Sequence, residues 1–130
     1  MPLDIDVLAG RYAICRLAPD APIPPWARGA ELTAIACTPE EVSVVCAEER
    51  VPPGVRASTS WRVLKLRGPF DLAAVGVLAA VAQPLANARV SIMVIATFDT
   101  DYVLVRDNQL SSAMEALGVA GHRVSRTPGP

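Results

Sequence analysis

The chain has 130 residues, of which 52% are hydrophobic and 19% are charged, so we expect a packed core rather than a disordered chain. The formal net charge is −1, which excludes the overall positive field typical of nucleic-acid-binding proteins. The most apolar stretch has about eleven residues (72–82), well short of the roughly 20 that span a bilayer, and the N-terminus lacks the basic segment of a signal peptide. These features predict a cytoplasmic protein that contacts neither nucleic acid nor membrane.

The first half is predicted to form short strands with little helix. Strands are expected at residues 11–17, 32–37 and 42–46. Four prolines within residues 19–25 prevent a long helix and leave room for one turn around Trp26. Pro52 and Pro53, followed by Gly54, mark a boundary before the second half.

The second half is predicted to follow the order strand, helix, strand, strand, helix, strand. Strands are expected at residues 61–66, 91–96, 102–105 and 122–124, helices at 72–87 and 107–117, and a tail at 126–130. Asp71 is placed to cap the first helix, and Pro84 is expected to kink it or end it early. The stripe expected to face the core is Leu72, Val75, Leu78, Ala82 and Leu85. This order is that of the ferredoxin-like βαββαβ unit.

An internal repeat relates the two halves at an offset of sixty residues. The aligned pairs are Ile35 with Ile95, Ala36 with Ala96, Glu41 with Asp101, and Val45 with Val105. The shared order of strands and acidic residue predicts two copies of one α+β module. They are expected at residues 1–57 and 58–130, the first with shortened helices.

The three cysteines do not form a metal-binding pattern. Cys15, Cys37 and Cys46 contain no Cys-x-x-Cys pair, and His122 is the only histidine, so neither a metal nor a cofactor is predicted. Each cysteine lies in an apolar run, so we expect three reduced and buried thiols. A thiol-dependent enzyme remains an alternative, and it would require His122 to pair with one of them.

Two segments of the second half carry a family resemblance. Gly68-Pro69-Phe70-Asp71-Leu72 and, most specifically, residues 97–105 resemble small bacterial ACT-domain proteins, close in pattern to the ACT modules of CASTOR arginine sensors and of aspartate kinases. The resemblance covers roughly residues 8–124. It implies two tandem ferredoxin-like ACT modules, a degenerate one at 1–57 and a complete one at 58–130. Val75 and Ala96 depart from it, since small polar residues are more usual at these two positions.

The resemblance implies a regulatory module that binds an amino acid or similar small zwitterion and has no catalytic activity. The ligand is implied to lie at an inter-module or dimer interface. Carried over residue by residue, the binding candidates are Phe70, Asp71, Leu72, Thr97, Phe98 and Asp101. A helix N-terminus suits the ligand's carboxylate, and Asp101 suits its ammonium group. The open edge of a ferredoxin-like sheet and the apolar first helix also predict a homodimer.

Other interpretations stay open. A structural or protein-interaction ACT domain without a ligand is compatible with the departures at Val75 and Ala96. Asp71 is also explained as a helix cap, Asp101 as a turn residue, and Phe98 as a packing residue. The sequence identifies neither the ligand nor the regulated pathway. It also leaves open whether the first module keeps a pocket around Glu41.

Overall fold

The computed structural model describes residues 1–126, which fall into two compact units. The inner unit is Gly10–Trp61, and the terminal unit combines Met1–Ala9 with the chain from Arg62 onward. The predicted division has a single boundary at 57/58. In the structure the boundary lies at 61/62, and the first nine residues belong to the terminal unit. Of the tail predicted at residues 126–130, the positions from 127 onward lie outside the described residues.

The described residues contain eight strands and two α-helices, with three short 3-10 turns. The strands are β1 (Asp4–Val7), β2 (Tyr12–Leu17), β3 (Ala34–Cys37), β4 (Val42–Ala47), β5 (Arg56–Leu66), β6 (Ile92–Ala96), β7 (Asp101–Arg106) and β8 (Arg123–Arg126). The helices are α1 (Val77–Asn87) and α2 (Leu110–Val119), and the 3-10 turns are Pro25–Ala27, Glu48–Arg50 and Asp107–Gln109. None of these helices is long and apolar enough to cross a membrane.

The inner unit is a βαββαβ module in which both helices are reduced to 3-10 turns. Its strands lie in the order β3-β4-β2-β5, the order of a ferredoxin-like sheet. The first 3-10 turn begins at Pro25, directly after the proline-rich segment that prevents a longer helix. The prediction of a module with shortened helices is therefore confirmed.

The terminal unit has the same plan with one strand added. Its strand order is β6-β7-β5-β1-β8, and β1 lies between β5 and β8, antiparallel to the first and parallel to the second. The sequence analysis assigned residues 1–9 to the first module and missed this strand. Leu3, Ile5 and Val7 are buried and alternate with more exposed aspartates, which is the period of a half-buried strand.

The two modules repeat at an offset of fifty-nine residues at their central hairpins rather than sixty. The β3–β4 turn closes with Thr38 N donating to Glu41 O at 2.9 Å, and the β6–β7 turn with Thr97 N donating to Thr100 O at 2.8 Å. Glu41 therefore corresponds to Thr100 and not to Asp101. The one-residue error matters because a slip of one residue exchanges the two faces of a strand.

Helix α1 begins five residues later than predicted. Gly76 precedes it with φ +89°, a left-handed conformation that favours glycine. Leu72 and Val75, expected on the inward stripe, are 70% and 88% exposed, whereas Val81 and Leu85 are buried. The predicted stripe is confirmed at Leu85 and wrong at Leu72 and Val75, because almost every residue of this segment is apolar and periodicity does not identify the buried face.

The remaining helix predictions differ in outcome. The helix does not end at Pro84, since α1 continues to Asn87. Helix α2 begins at Leu110, three residues later than predicted, and buries Leu110, Ala113 and Leu117. Both helices pack on the core of the terminal unit, which also includes buried residues of β1, β5 and β7.

Candidate functional site

All six candidate binding residues line one open cleft of the terminal unit. The cleft has a volume of about 310 Å³. One wall is the segment from Phe70 to the first turn of α1, and the other runs from Ala96 at the end of β6 to Asp101 at the start of β7. The structure thus brings together two segments that the sequence separates by about twenty residues.

Hydrogen bonds hold the two walls together. Phe70 N donates to Asp99 O at 2.8 Å, and the buried hydroxyl of Thr100 donates to Leu66 O at 2.6 Å. Gly68 lies at the same junction, where an added Cβ would stand 2.9 Å from Asp99 O. A residue with any side chain would force this junction apart, so a glycine is required there.

Thr97 shapes the turn of the second wall. Its backbone N and its hydroxyl each donate to Thr100 O at 2.8 Å, and its Oγ1 accepts from Thr100 N at 3.3 Å. The hydroxyl hydrogen is therefore used within the turn. The structural role of Thr97 is clear, and any contact of Thr97 with a ligand would be made by its remaining surface.

The N-terminus of α1 opens into the cleft, although not where it was predicted. Asp71 does not cap the helix, since its Oδ1 accepts from Ala73 N at 2.8 Å and its carbonyl accepts from Ala74 N at 2.9 Å. No side-chain cap is present at α1 within the described residues, because Gly76 occupies the cap position. The first-turn residues Val77, Leu78 and Ala79 line the cleft. The first amide groups of a helix lack helical acceptors and carry a partial positive charge.

The ionisable side chains around the cleft are all acidic. They are Asp71, Asp99 and Asp101, and the described lining includes no lysine, arginine or histidine. Asp101 is half-buried, and its carboxylate has no hydrogen bond or ion pair within residues 1–126. In the same part of the chain, no group of histidine, cysteine and acidic residues is arranged to hold a metal ion. The cleft therefore combines a helix N-terminus with unpaired negative charge.

Large apolar side chains are exposed beside these polar groups. Phe98 is 78% exposed, so it is not a core residue, and Leu72 is 70% exposed on the opposite wall. Both line the cleft. Exposed apolar side chains that cluster at one place mark binding surfaces more often than scattered ones do.

The cysteines divide into a buried pair and one exposed thiol. Cys15 and Cys46 are buried in the inner unit, and burial raises both of their pKa values, that of Cys46 to about 12. Cys37 is exposed at the end of β3, which corrects the expectation that all three are buried. A thiol with a raised pKa is a weak nucleophile at neutral pH. Both ring nitrogens of His122 are hydrogen-bonded, to Leu3 N and Ala80 O.

The comparisons with known proteins identify the family. An ACT-domain model matches residues 56–118, and a model of an N-terminal domain matches residues 10–54. A protein of Agobacterium tumefaciens with a crystal structure is 35% identical, with a TM-score of 0.93 over 99% of this chain and 96% of that one. This chain belongs to the ACT-domain family. The resemblance inferred from residues 68–72 and 97–105 is thereby confirmed.

Two further comparisons concern a sensing protein, which is similar in sequence to this ACT-domain protein, and a regulatory subunit, which is similar in fold alone. Subunit 1 of the cytosolic arginine sensor for mTORC1 from Bos taurus is 34% identical over 91 residues, which is 62% of this chain and 28% of that sensor. The chain thus matches little more than a quarter of that protein's length. The regulatory subunit of aspartate kinase from Thermus thermophilus has the same fold, with a TM-score of 0.61 at 16% identity over 91% of this chain and 95% of that one.

Sequence reasoning missed several residues of the cleft. Asp99 was not among the candidate residues, and the first turn of α1 was placed at Leu72 instead of Val77. Gly76 was the available signal, since a glycine followed by an apolar helical segment is a common start of a helix. Asp99 gave no comparable signal, because it enters the cleft only through the geometry of the β6–β7 turn.

Proposed function

We propose that this ACT-domain protein is a non-catalytic sensor that binds a free amino acid, or a similar small zwitterion, in the cleft of its terminal unit. The observation that carries the proposal is the meeting of opposite charges across one cleft. The uncapped N-terminus of α1 lies on one wall, and the unpaired carboxylate of Asp101 lies on the other.

The chemistry of the walls fits a zwitterion. The ligand's carboxylate accepts hydrogen bonds from the first-turn amides at Val77–Ala79, where the helix dipole favours an anion. Its ammonium group pairs with Asp101, with Asp99 adding negative charge nearby. Phe98 and Leu72 supply apolar surface for the ligand's side chain. The similarity to a cytosolic arginine sensor supports an amino acid as the ligand class.

The inner unit offers no equivalent site. In the inner unit, the counterpart of helix α1 is only the 3-10 turn Pro25–Ala27. The residue that corresponds to Asp101 is Val42 rather than Glu41. Both charged partners of a zwitterion are therefore missing. We propose one ligand site in each chain.

A thermal-shift screen of the twenty amino acids, followed by calorimetric titration, tests this function. A ligand at 100 times its Kd stabilises the folded protein by about 2.7 kcal/mol. Asp101→Ala is expected to weaken binding by on the order of 1.5–3 kcal/mol, which is roughly tenfold or more in Kd. Asp20→Ala, which removes an exposed carboxylate of the inner unit, is the matched control and is expected to bind like wild type.

One observation favours a second candidate function. Phe98, Leu72 and Val75 are exposed on the walls of the cleft or next to it, as in a surface that contacts another protein. Under this alternative the domain makes protein contacts without a small ligand. A screen in which no amino acid changes the melting temperature favours it, whereas tight binding lost in Asp101→Ala favours the sensor.

The functional form is proposed to be a homodimer. Two strands, β6 and β8, lie at the edges of the terminal unit's sheet, and exposed edges are commonly covered by a partner. Light scattering at micromolar concentration is expected to give twice the 13.7 kDa mass of one chain. A mass of one chain contradicts this assembly without bearing on the ligand site.

A further inference from the structure

A second, smaller pocket lies on the face of the terminal unit's sheet opposite to its helices. Leu64, Leu66 and Val103 belong to the core beneath the helices. Lys65 and Tyr102 alternate with them along β5 and β7 and therefore lie on the other face. The pocket has a volume of about 260 Å³, and we call it the sheet-face pocket. Its charged and hydroxyl-bearing lining residues are Lys65, Arg67, Thr97, Asp99, Thr100 and Tyr102.

The carboxylate opposite Lys65 in the sheet is already bound by another residue. Asp6 of β1 is the partner of Lys65 in the register of β1 and β5. Both oxygens of Asp6 accept from Arg67, Oδ1 from Nη2 at 2.6 Å and Oδ2 from Nε at 3.2 Å. Because this two-point contact occupies the carboxylate, Lys65 has no ion pair with its cross-strand neighbour.

The ammonium group of Lys65 is left without an anion. Lys65 is the only lysine of the chain, and its side chain is half-buried. Within residues 1–126 its Nζ has no ion pair and no hydrogen bond, and it lies 5.9 Å from the ring centroid of Tyr102. The ring face attracts the cation, but it supplies no oxygen acceptor for the three N–H groups.

Tyr102 adds a second unused donor to the sheet-face pocket. Its hydroxyl makes no hydrogen bond in the described part of the chain. Lys65 and Tyr102 thus present N–H and O–H donors in one pocket. A negatively charged oxygen is the acceptor that an ammonium group binds most strongly, since charge-assisted hydrogen bonds exceed neutral ones.

The charges of the lining favour an anion with a single charge. Arg67 is already paired with Asp6, so Lys65 is the one cation of the described lining without an anionic partner. Asp99, the one acidic residue of that lining, forms no ion pair with Lys65. A phosphate dianion would meet Asp99 without a second unpaired cation to balance it. A carboxylate carries the one charge that Lys65 neutralises.

We propose that the sheet-face pocket binds a small monocarboxylate whose oxygens accept from Lys65 Nζ and from the Tyr102 hydroxyl. The volume is below the roughly 300–1,000 Å³ of pockets for drug-sized ligands, so the ligand is small. This site is separate from the proposed sensor cleft, since neither Lys65 nor Tyr102 lines that cleft. The two share one wall, because Thr97, Asp99 and Thr100 of the β6–β7 turn line both.

Lys65 itself provides the readout, because a protein labelled with carbon-13 at lysine contains one labelled residue. Titration with sodium acetate, and separately with sodium lactate, is expected to shift the NMR signal of the Lys65 Cε group along a saturable curve. Sodium chloride at the same ionic strength is the control for charge screening, and it is expected to give no saturable shift.

Two substitutions remove the donors one at a time, and backbone amide signals of the β6–β7 turn report binding in each variant. Lys65→Gln is expected to weaken acetate binding by roughly tenfold or more in Kd, and Tyr102→Phe by about two- to tenfold. Arg28→Gln, which removes an exposed cation of the inner unit, is the matched control and is expected to bind like wild type. Asp101→Ala changes the cleft alone and is expected not to weaken acetate binding.

The outcomes separate this site from the sensor cleft. A Lys65 signal that ignores acetate and lactate, or that responds to chloride in the same way, overturns the site. An acetate Kd that is unchanged in Lys65→Gln overturns it too, because the anion then binds elsewhere, such as at the N-terminus of α1. Saturation by inorganic phosphate but by neither carboxylate overturns the ligand class. The amino-acid screen decides the sensor function independently of all these results.

Discussion

His122 supplies the hydrogen bond that Pro84 removes from helix α1. Proline has no amide hydrogen, so the carbonyl of Ala80, four residues earlier, has no donor within the helix. Nε2 of His122 lies 2.8 Å from that carbonyl, and Nδ1 accepts from Leu3 N at 3.1 Å. Since Nδ1 accepts, Nε2 carries the hydrogen of the neutral ring and donates it to Ala80 O. One buried side chain thus joins α1 to the residue that precedes β1.

We predict that His122→Ala lowers the free energy of unfolding by about 1–3 kcal/mol, because it leaves two buried backbone groups without partners. In a Pro84→Ala background the cost is expected to be smaller by about 1 kcal/mol, since the new amide of residue 84 bonds to Ala80 O. Urea denaturation of the four proteins measures this double-mutant cycle. Equal costs in both backgrounds contradict the proposed coupling.

A second prediction concerns the dependence of stability on pH. The hydrogen bond from Arg123 lowers the pKa of Asp4 below its ordinary value of 3.8, with further effects from the charges of Arg123 and Arg67. A carboxylate with a lowered pKa in the folded state contributes stability above its unfolded pKa, and that contribution is lost as the pH falls through the folded pKa. We expect Asp4→Asn to be less stable than wild type at pH 7 and to lose less stability on acidification to pH 3.

The measurement is urea denaturation of both proteins at pH 7 and pH 3. Asp20→Asn, which changes an exposed carboxylate of the inner unit, is the control and is expected to follow wild type at both values. An Asp4→Asn protein as stable as wild type at pH 7 contradicts the prediction.

The close approach at Gly68 gives a third prediction. Gly68→Ala places a methyl group 2.9 Å from Asp99 O, and we expect it to cost about 1–3 kcal/mol of stability and to weaken ligand binding, because both walls of the cleft meet there. Gly118→Ala is the matched control, since a Cβ at this position in α2 meets nothing within 4 Å. It is expected to stabilise the protein by about 0.5–1 kcal/mol. Thermal denaturation and calorimetry measure both effects, and a Gly68→Ala protein as stable as wild type is the contrary result.

The fourth prediction concerns thiol reactivity. We expect one cysteine to react rapidly with an aromatic disulfide reagent in the native protein, and all three to react in denaturant. Cys37 is exposed, whereas Cys15 and Cys46 are buried and have raised pKa values. Cys37→Ser is expected to remove the rapid phase alone. Rapid reaction of two or more thiols in the native protein is the opposing observation.

The order of elements was predictable from sequence because turns and strands have local signals. Pro25 and the turn between β6 and β7 are examples, and the structure confirms two βαββαβ modules. The place of β1 in the sheet was not predictable from the order of the elements, because its partners β5 and β8 are distant in sequence. Its alternation of Leu3, Ile5 and Val7 with aspartates was nevertheless present in the sequence.

The candidate cleft was predictable in part of its membership but not in its geometry. A family resemblance named six residues, and all six line the same cleft. The resemblance did not show that Asp71 forms a turn with Ala73 or that Gly76 delays the helix. Both depend on backbone conformation within an apolar segment, where side-chain periodicity carries no information.

The insertion of β1 beside β8 determines the order in which the chain is able to fold during synthesis. Asp4 and Arg123, which pair across these strands, are 119 residues apart. The inner unit, Gly10–Trp61, contains all of its own strand partners and can form while the remainder is still being translated. The terminal unit must hold its first strand unpaired with β8 until residues 123–126 have left the ribosome. The terminal unit is therefore completed late. Its completion requires closing a large loop, which slows the formation of contacts between residues that are distant in sequence.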